Sequence, residues 1–113
     1  MKKIIFTIFL ITNLVQAETY NDRILVYINN DYLDFEIGKS SNRTNNNELN
    51  EFLKNYDVQQ IIKWLPHAKQ SDRDEDIFLN RFYVIKLNKK SDILDYMLSS
   101  ILDLKIIDRA ELM

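Results

Sequence analysis

The chain has 113 residues, with 15 Lys+Arg against 17 Asp+Glu, one His, one Gly, one Pro and no Cys. That length holds one domain of ordinary size, and the lack of Cys excludes disulfides, thiolate zinc sites and an acylated cysteine anchor. A single Gly excludes a glycine-rich phosphate cradle, and with it the familiar nucleotide-binding enzymes.

The chain opens on Met1-Lys2-Lys3, a short basic start, and runs almost entirely apolar from Ile4 to Val15. Val15-Gln16-Ala17 then places small residues at positions −3 and −1 of a cleavage site, as signal peptidase requires. The apolar run is about a dozen residues, short of the roughly 20 that a bilayer core needs. Residues 1–17 therefore read as a signal peptide cleaved after Ala17, with a secreted or periplasmic product and no stable membrane insertion afterwards. Cleavage removes two lysines and leaves 13 basic against 17 acidic residues, a net charge of −4 over residues 18–113. Those residues read as a single domain, and their acidity argues against a nucleic-acid partner.

Arg23–Ile28 is rich in β-branched and aromatic residues and ends at the turn cluster Asn29-Asn30-Asp31, so a strand is expected. Asp31–Gly38 alternates and reads as a short extra strand or an ordered loop, and the polar stretch Lys39–Asn47 reads as a linker. Asn45 and Glu48 have capping-box spacing, followed by Leu49, Phe52, Leu53 and Tyr56 at helical intervals. Val58–Leu65 is strand-like and stops before Pro66. After a charged loop, Ala68–Asp76, the segment Arg81–Leu87 is the strongest strand signal. Ser91 is placed to cap a second helix with Asp92 and Asp95 in its first turn and an apolar stripe of Leu94, Met97, Leu98, Ile101 and Leu102. Lys105–Glu111 closes the chain as a last strand. This order predicts an α+β fold, a ferredoxin-like βαββαβ two-layer sandwich with both helices on one face of an antiparallel sheet.

Catalytic chemistry finds little to stand on. His67 is the only imidazole, sits in a loop beside Pro66, and has no Ser in a nucleophile-elbow setting. The run Asp72-Arg73-Asp74-Glu75-Asp76 opens like a calcium loop, but Ile77 replaces the turn glycine and Tyr83 the twelfth-position Glu, so a solvated charged loop is the better reading. Asn42-Arg43-Thr44 is a glycosylation sequon, meaningful only in a eukaryotic host. No catalytic residue, metal site or cofactor is expected, and the protein is read as a non-enzyme.

The strands are apolar on both sides. Arg81–Leu87 carries Tyr83, Ile85 and Leu87 on one side and Phe82 and Val84 on the other; Arg23–Ile28 divides into Ile24, Val26 and Ile28 against Leu25 and Tyr27. Val58–Leu65 sets Ile62 and Trp64 opposite Ile61 and Leu65. Two helices cover one face of such a sheet, so Trp64, Phe82 and Val84 are expected on an open face that docks a protein partner.

The segments Glu48–Val58 (ELNEFLKNYDV), Ile61–Pro66 (IIKWLP), Leu79–Leu87 (LNRFYVIKL) and Lys105–Glu111 (KIIDRAE) follow one another as in a known family. In that order and spacing the chain resembles the inhibitor I9-type propeptide domain of subtilisin-like serine proteases, over Arg23–Glu111. The resemblance implies a βαββαβ fold whose open sheet face packs on two surface helices of the protease. It also implies that an acidic residue of the last strand caps those helices' N-termini, a role that falls to Glu111 within Ala110-Glu111. Arg109 stands where the family usually has Tyr, and Met113 follows Glu111 by two residues, where the family continues into a tail that fills the protease cleft. The expected function is thus a secreted domain that binds a subtilisin-like serine protease as chaperone or inhibitor through Trp64, Phe82, Val84, Arg109, Ala110 and Glu111, without filling its active site. A remnant of a protease precursor and an unrelated secreted ferredoxin-like interaction domain are the alternatives.

Overall fold

The computed structural model describes residues 21–113. The expected signal peptide, residues 1–17, lies outside the described residues. Four six-residue strands form one antiparallel sheet: β1 (Arg23–Ile28), β2 (Val58–Lys63), β5 (Phe82–Leu87) and β6 (Ile107–Leu112), in the order β2-β5-β1-β6. Two nine-residue helices, α1 (Asn47–Asn55) and α2 (Leu94–Leu102), cover one face of it. A separate two-stranded ladder, β3 (Arg73–Asp74) with β4 (Ile77–Phe78), lies within the stretch expected as charged loop and the residues just after it, and a 3₁₀ turn at Leu79–Arg81 leads into β5.

The core forms where strand and helix periodicities meet. Alternate residues of β1 (Ile24, Val26, Ile28) and β5 (Tyr83, Ile85, Leu87) point the same way, as a pleated strand requires. Leu49, Phe52 and Leu53 of α1, and Leu94, Met97 and Ile101 of α2, lie on single helical stripes and close over them. Leu98 packs at the margin, whereas Leu102 is exposed and does not complete the expected stripe.

Both helix starts differ from the expected ones by local hydrogen-bond competition. Asn46, not Asn45, caps α1: its side chain accepts the Leu49 N–H at 2.8 Å. The Asn45 amide instead donates to the Asp34 carbonyl at 2.7 Å and accepts the Glu36 N–H at 3.1 Å. Ser91 stops one turn short of α2; its Oγ accepts the Ile93 N–H at 3.1 Å, and the helix begins at Leu94 with Asp95 alone in its first turn. At the end of α1, Asp57 takes the left-handed φ of 54°, held there as Asn88 Nδ2 donates to its carbonyl and its carboxylate at 3.1 and 2.9 Å.

The expected linker is a pinned loop. Asn50 accepts the Thr44 N–H at 2.7 Å and donates back to the Thr44 carbonyl at 2.8 Å, which buries Thr44 beside α1. Ile37 bridges Thr44, and the Gly38 N–H reaches the Arg43 carbonyl so closely that a Cβ on residue 38 would meet that oxygen at 3.2 Å. Ser41 then accepts the Ile61 N–H at 2.6 Å, so this loop covers part of the outer edge of β2. Segment 31–38 is the ordered loop of the two expected forms, and β2 ends at Lys63, two residues before the expected Leu65.

Candidate functional site

The helix-free face of the sheet is built by the strand residues that the core leaves over. Register places them in cross-strand rows. One row runs Trp64, Phe82, Tyr27, Arg109: the Trp64 N–H bonds the Phe82 carbonyl at 3.0 Å, Tyr27 lies opposite Phe82, and Arg109 lies opposite Tyr27. The next runs Ile62, Val84, Leu25, Glu111. A third holds Gln60, Lys86 and Arg23. Five of the six residues expected to bind a partner therefore share one face: Trp64, Phe82, Val84, Arg109 and Glu111.

Ala110 does not share it. Strand alternation turns its side chain between those of Arg109 and Glu111 to the other side, where it packs at the margin of the helix-covered core. Ala110 is thus a structural neighbour of Val26, and a partner on the open face does not reach its methyl group.

The face is not uniformly open. Tyr27 is only 1% exposed, although neither helix of the described residues lies over it. Its hydroxyl donates to Asn30 Oδ1 at 2.6 Å and accepts the Phe78 N–H at 2.8 Å, and Asn30 Nδ2 reaches the Asp76 carbonyl at 2.9 Å. The β3–β4 hairpin is thereby fastened over the Tyr27 end of the sheet. Arg81 ties the same corner by donating to the carbonyls of Ile28, Asn29 and Tyr32 at 2.7–3.0 Å. Phe82 fits between the rings of Tyr27 and Trp64, edge-to-face with both at 4.9 and 5.5 Å. Val84 is 7% exposed, flanked by Ile62 and Leu25, and presents little surface.

What remains accessible is concentrated at the two edges. On β2 and just beyond, Ile62 and Trp64 are 39% and 42% exposed. On β6, Arg109 and Glu111 are exposed, and among the described residues the Arg109 guanidinium makes a long 3.8 Å contact with Asp108. Ile62, Leu25, Tyr27 and Lys86 were absent from the expected site residues, although period-2 spacing sets Ile62 with Trp64 and Lys86 with Val84, and strand pairing sets Leu25 and Tyr27 opposite Val84 and Phe82.

Elsewhere the chemistry is sparse. His67 is exposed in the turn after β2. Asp72 accepts the Lys69 N–H at 2.8 Å and the acidic run closes the β3–β4 turn, where Glu75 has φ 57°. Among the described residues no group of three potential ligands is placed to hold a metal ion. Beside the edge of β2, a groove of about 550 Å³ is lined by Phe35, Ile37, Lys63 and Tyr83 among others. Burial pushes the Tyr83 phenol above its ordinary pKa, partly offset by the positive charge of Arg81. The Asp22 carboxyl is held below its ordinary value by the hydrogen bond from Arg23 Nε at 3.0 Å.

Comparison of the chain with protein-family models, with curated proteins and with solved structures yields no match.

Proposed function

We propose that this protein is a secreted or periplasmic binding domain, not an enzyme, whose helix-free sheet face docks on a subtilisin-like serine protease as chaperone or inhibitor. The observation that carries the reading is the placement of Ile62 and Trp64, exposed and apolar, on the same face as Arg109 and Glu111, which neither helix of the described residues covers. Exposed apolar side chains grouped on a rigid sheet and bordered by charge are the usual make-up of a protein-binding surface. The ferredoxin-like form of the fold belongs to the same proposal. It is supported by the central position of β1 and β5, with β2 and β6 at the edges, and by helices following β1 and β5. The β3–β4 hairpin is then an insertion between the second and third long strands.

In this reading Trp64 and Ile62 supply apolar contact area, while Glu111 supplies orientation. A carboxylate aimed at the N-terminus of a partner helix meets unpaired N–H groups and the positive end of the helix dipole. No cofactor is required. The test is calorimetry or surface plasmon resonance with several secreted subtilisin-like proteases, using the chain from Glu18 onward. Binding is expected, and Glu111→Gln is expected to weaken it about ten-fold, since a shielded charge-assisted bond contributes roughly 1.5–3 kcal/mol. A folded domain that binds none of these proteases refutes the reading.

A further inference from the structure

The two edges of the sheet are finished differently. At the β2 edge the Ile61 N–H, which points away from β5, bonds the Ser41 carbonyl at 2.6 Å. At the β6 edge the outward backbone groups have no partner among the described residues. Which groups these are follows from the ladder. Asp22 accepts the Leu87 N–H at 2.7 Å, in line with the β1–β5 register, so the even-numbered residues of β1 bond to β5. The odd-numbered Leu25 and Tyr27 therefore bond to the residues opposite them in β6, Glu111 and Arg109. That leaves the N–H and C=O of Ala110 and Leu112 directed away from the sheet. A row of this kind is a template for a further strand. Arg109 and Glu111 flank Ala110 and are both exposed on the helix-free face.

We propose that β6 pairs antiparallel with β6 of a second copy of this chain, centred on Ala110, and joins two four-stranded sheets into one. In this register Ala110 exchanges both backbone bonds with Ala110 of the second copy, and Leu112 comes opposite Asp108. Arg109 then lies opposite Glu111 of the second copy, and by symmetry the pair occurs twice. These are the positions without backbone bonds, where Cα atoms are about 4.5 Å apart and side chains are closest. Charge selects the register and the occupant together. Pairing centred on Arg109 would set two guanidinium groups against each other, and pairing centred on Glu111 two carboxylates. Charges on an edge strand ordinarily repel an incoming strand by being left unpaired. A second copy of this strand neutralises both. The contact is isologous, so it closes at two copies. One pair of six-residue strand edges buries less than the ~800 Å² per partner of a standard interface, so the dissociation constant is on the order of 100 μM. This inference does not rest on the protease reading, and its test uses no protease.

Sedimentation velocity over about 10–500 μM, with the chain from Glu18 onward, should show dimers and nothing larger. Amide exchange followed by NMR over the same range identifies the edge. The Ala110 and Leu112 amides should slow as dimers form, and the Glu111 amide, already bonded to Leu25 in the monomer, should change less. Arg109→Glu and Glu111→Arg each set like charges opposite one another, and each should raise the dissociation constant at least about ten-fold. The double variant Arg109→Glu/Glu111→Arg restores both pairs and should return to within about three-fold of the wild type. An equimolar mixture of the two single variants should form mixed dimers, although neither variant pairs with itself. Thermal melts establish that the variants fold, and the wild-type amide exchange decides the matter if one does not. A wild-type chain that stays monomeric at 500 μM overturns the proposal, as does growth past a dimer. Dimers in which the Ala110 amide exchanges as fast as in the monomer would mean contact through another surface, and also overturn it. So does a mixture of the two folded single variants that stays monomeric.

Discussion

Tyr83 and Phe82 are neighbours in β5, yet they answer to different parts of the molecule. Tyr83 points into the core beneath the helices, with Ile85 and Leu87 behind it. Phe82 points to the side without helices, between Tyr27 and Trp64. On the first side burial follows from one cause, the closure of α1 and α2. On the second it is only partial. The Tyr27 end is sealed by the chain's own β3–β4 hairpin through hydrogen bonds to Phe78 and Asn30, whereas Ile62 and Trp64 stay accessible. An apolar residue on the second face of a sheet is therefore not in itself a sign of a partner. Only the part that the chain leaves uncovered carries that meaning.

Substitutions on the two sides should separate accordingly. The largest effect is expected from Ile85→Ala, a fully buried residue under both helices. Truncation there should cost about 3–4 kcal/mol from lost burial and a residual cavity, read as a lower midpoint in urea unfolding. Next is Tyr27→Phe, which leaves the ring in place but removes the hydroxyl that joins β1 to the hairpin. It should cost about 1–2 kcal/mol, because the Phe78 N–H loses its acceptor. Hydrogen exchange at Phe78 should quicken more than at Ile85; equal changes would mean that the hairpin is not separately fastened. Asn46→Ala removes the α1 cap and should cost about 1 kcal/mol. Trp64→Ser, on the accessible part of the open face, should cost less than about 1 kcal/mol of stability. A loss as large as that of Ile85→Ala would place Trp64 in the core and break the comparison.

The legibility of the fold in the sequence follows the same division. Period-2 and period-3.6 patterns placed the four long strands, both helices and the inner face of each central strand, because burial on one side leaves a strong repeating signal. Boundaries shifted where several residues compete for one role. Asn45, Asn46 and Asn47 are adjacent and equally able to cap, and only the Asp34–Glu36 loop, which claims Asn45, decides in favour of Asn46. The stretch expected as a linker is polar in composition but held through Thr44 and Asn50, and composition alone does not report such pairing. The hairpin was hidden for a related reason. Its strands are two residues long, too short for any periodicity, and its anchors are Tyr27 and Asn30, more than 40 positions away. Alternation along each strand sufficed to set Trp64, Phe82 and Val84 on one face, and the same alternation along the last strand turns Ala110 to the side opposite Arg109 and Glu111.

The smallest effect at neutral pH concerns Tyr83, on the helix-covered side at the wall of the groove beside β2. Burial makes its phenolate costly in the folded chain, and the nearby Arg81 charge offsets only part of that cost. Its folded pKa therefore lies above the value of about 10 that the unfolded chain has. The stability linked to this group is full below pH ~10, where both states are protonated, and is lost as pH rises through the folded value, because the unfolded chain releases its proton first. Tyr83→Phe should leave stability at pH 7 nearly unchanged and make the decline above pH ~10 shallower than in the wild type. Urea unfolding at pH 7, 9, 10 and 11 measures the difference. Parallel alkaline limbs in the two proteins would mean that the phenol is solvated in the folded state, and that the groove admits water as far as the Tyr83 ring.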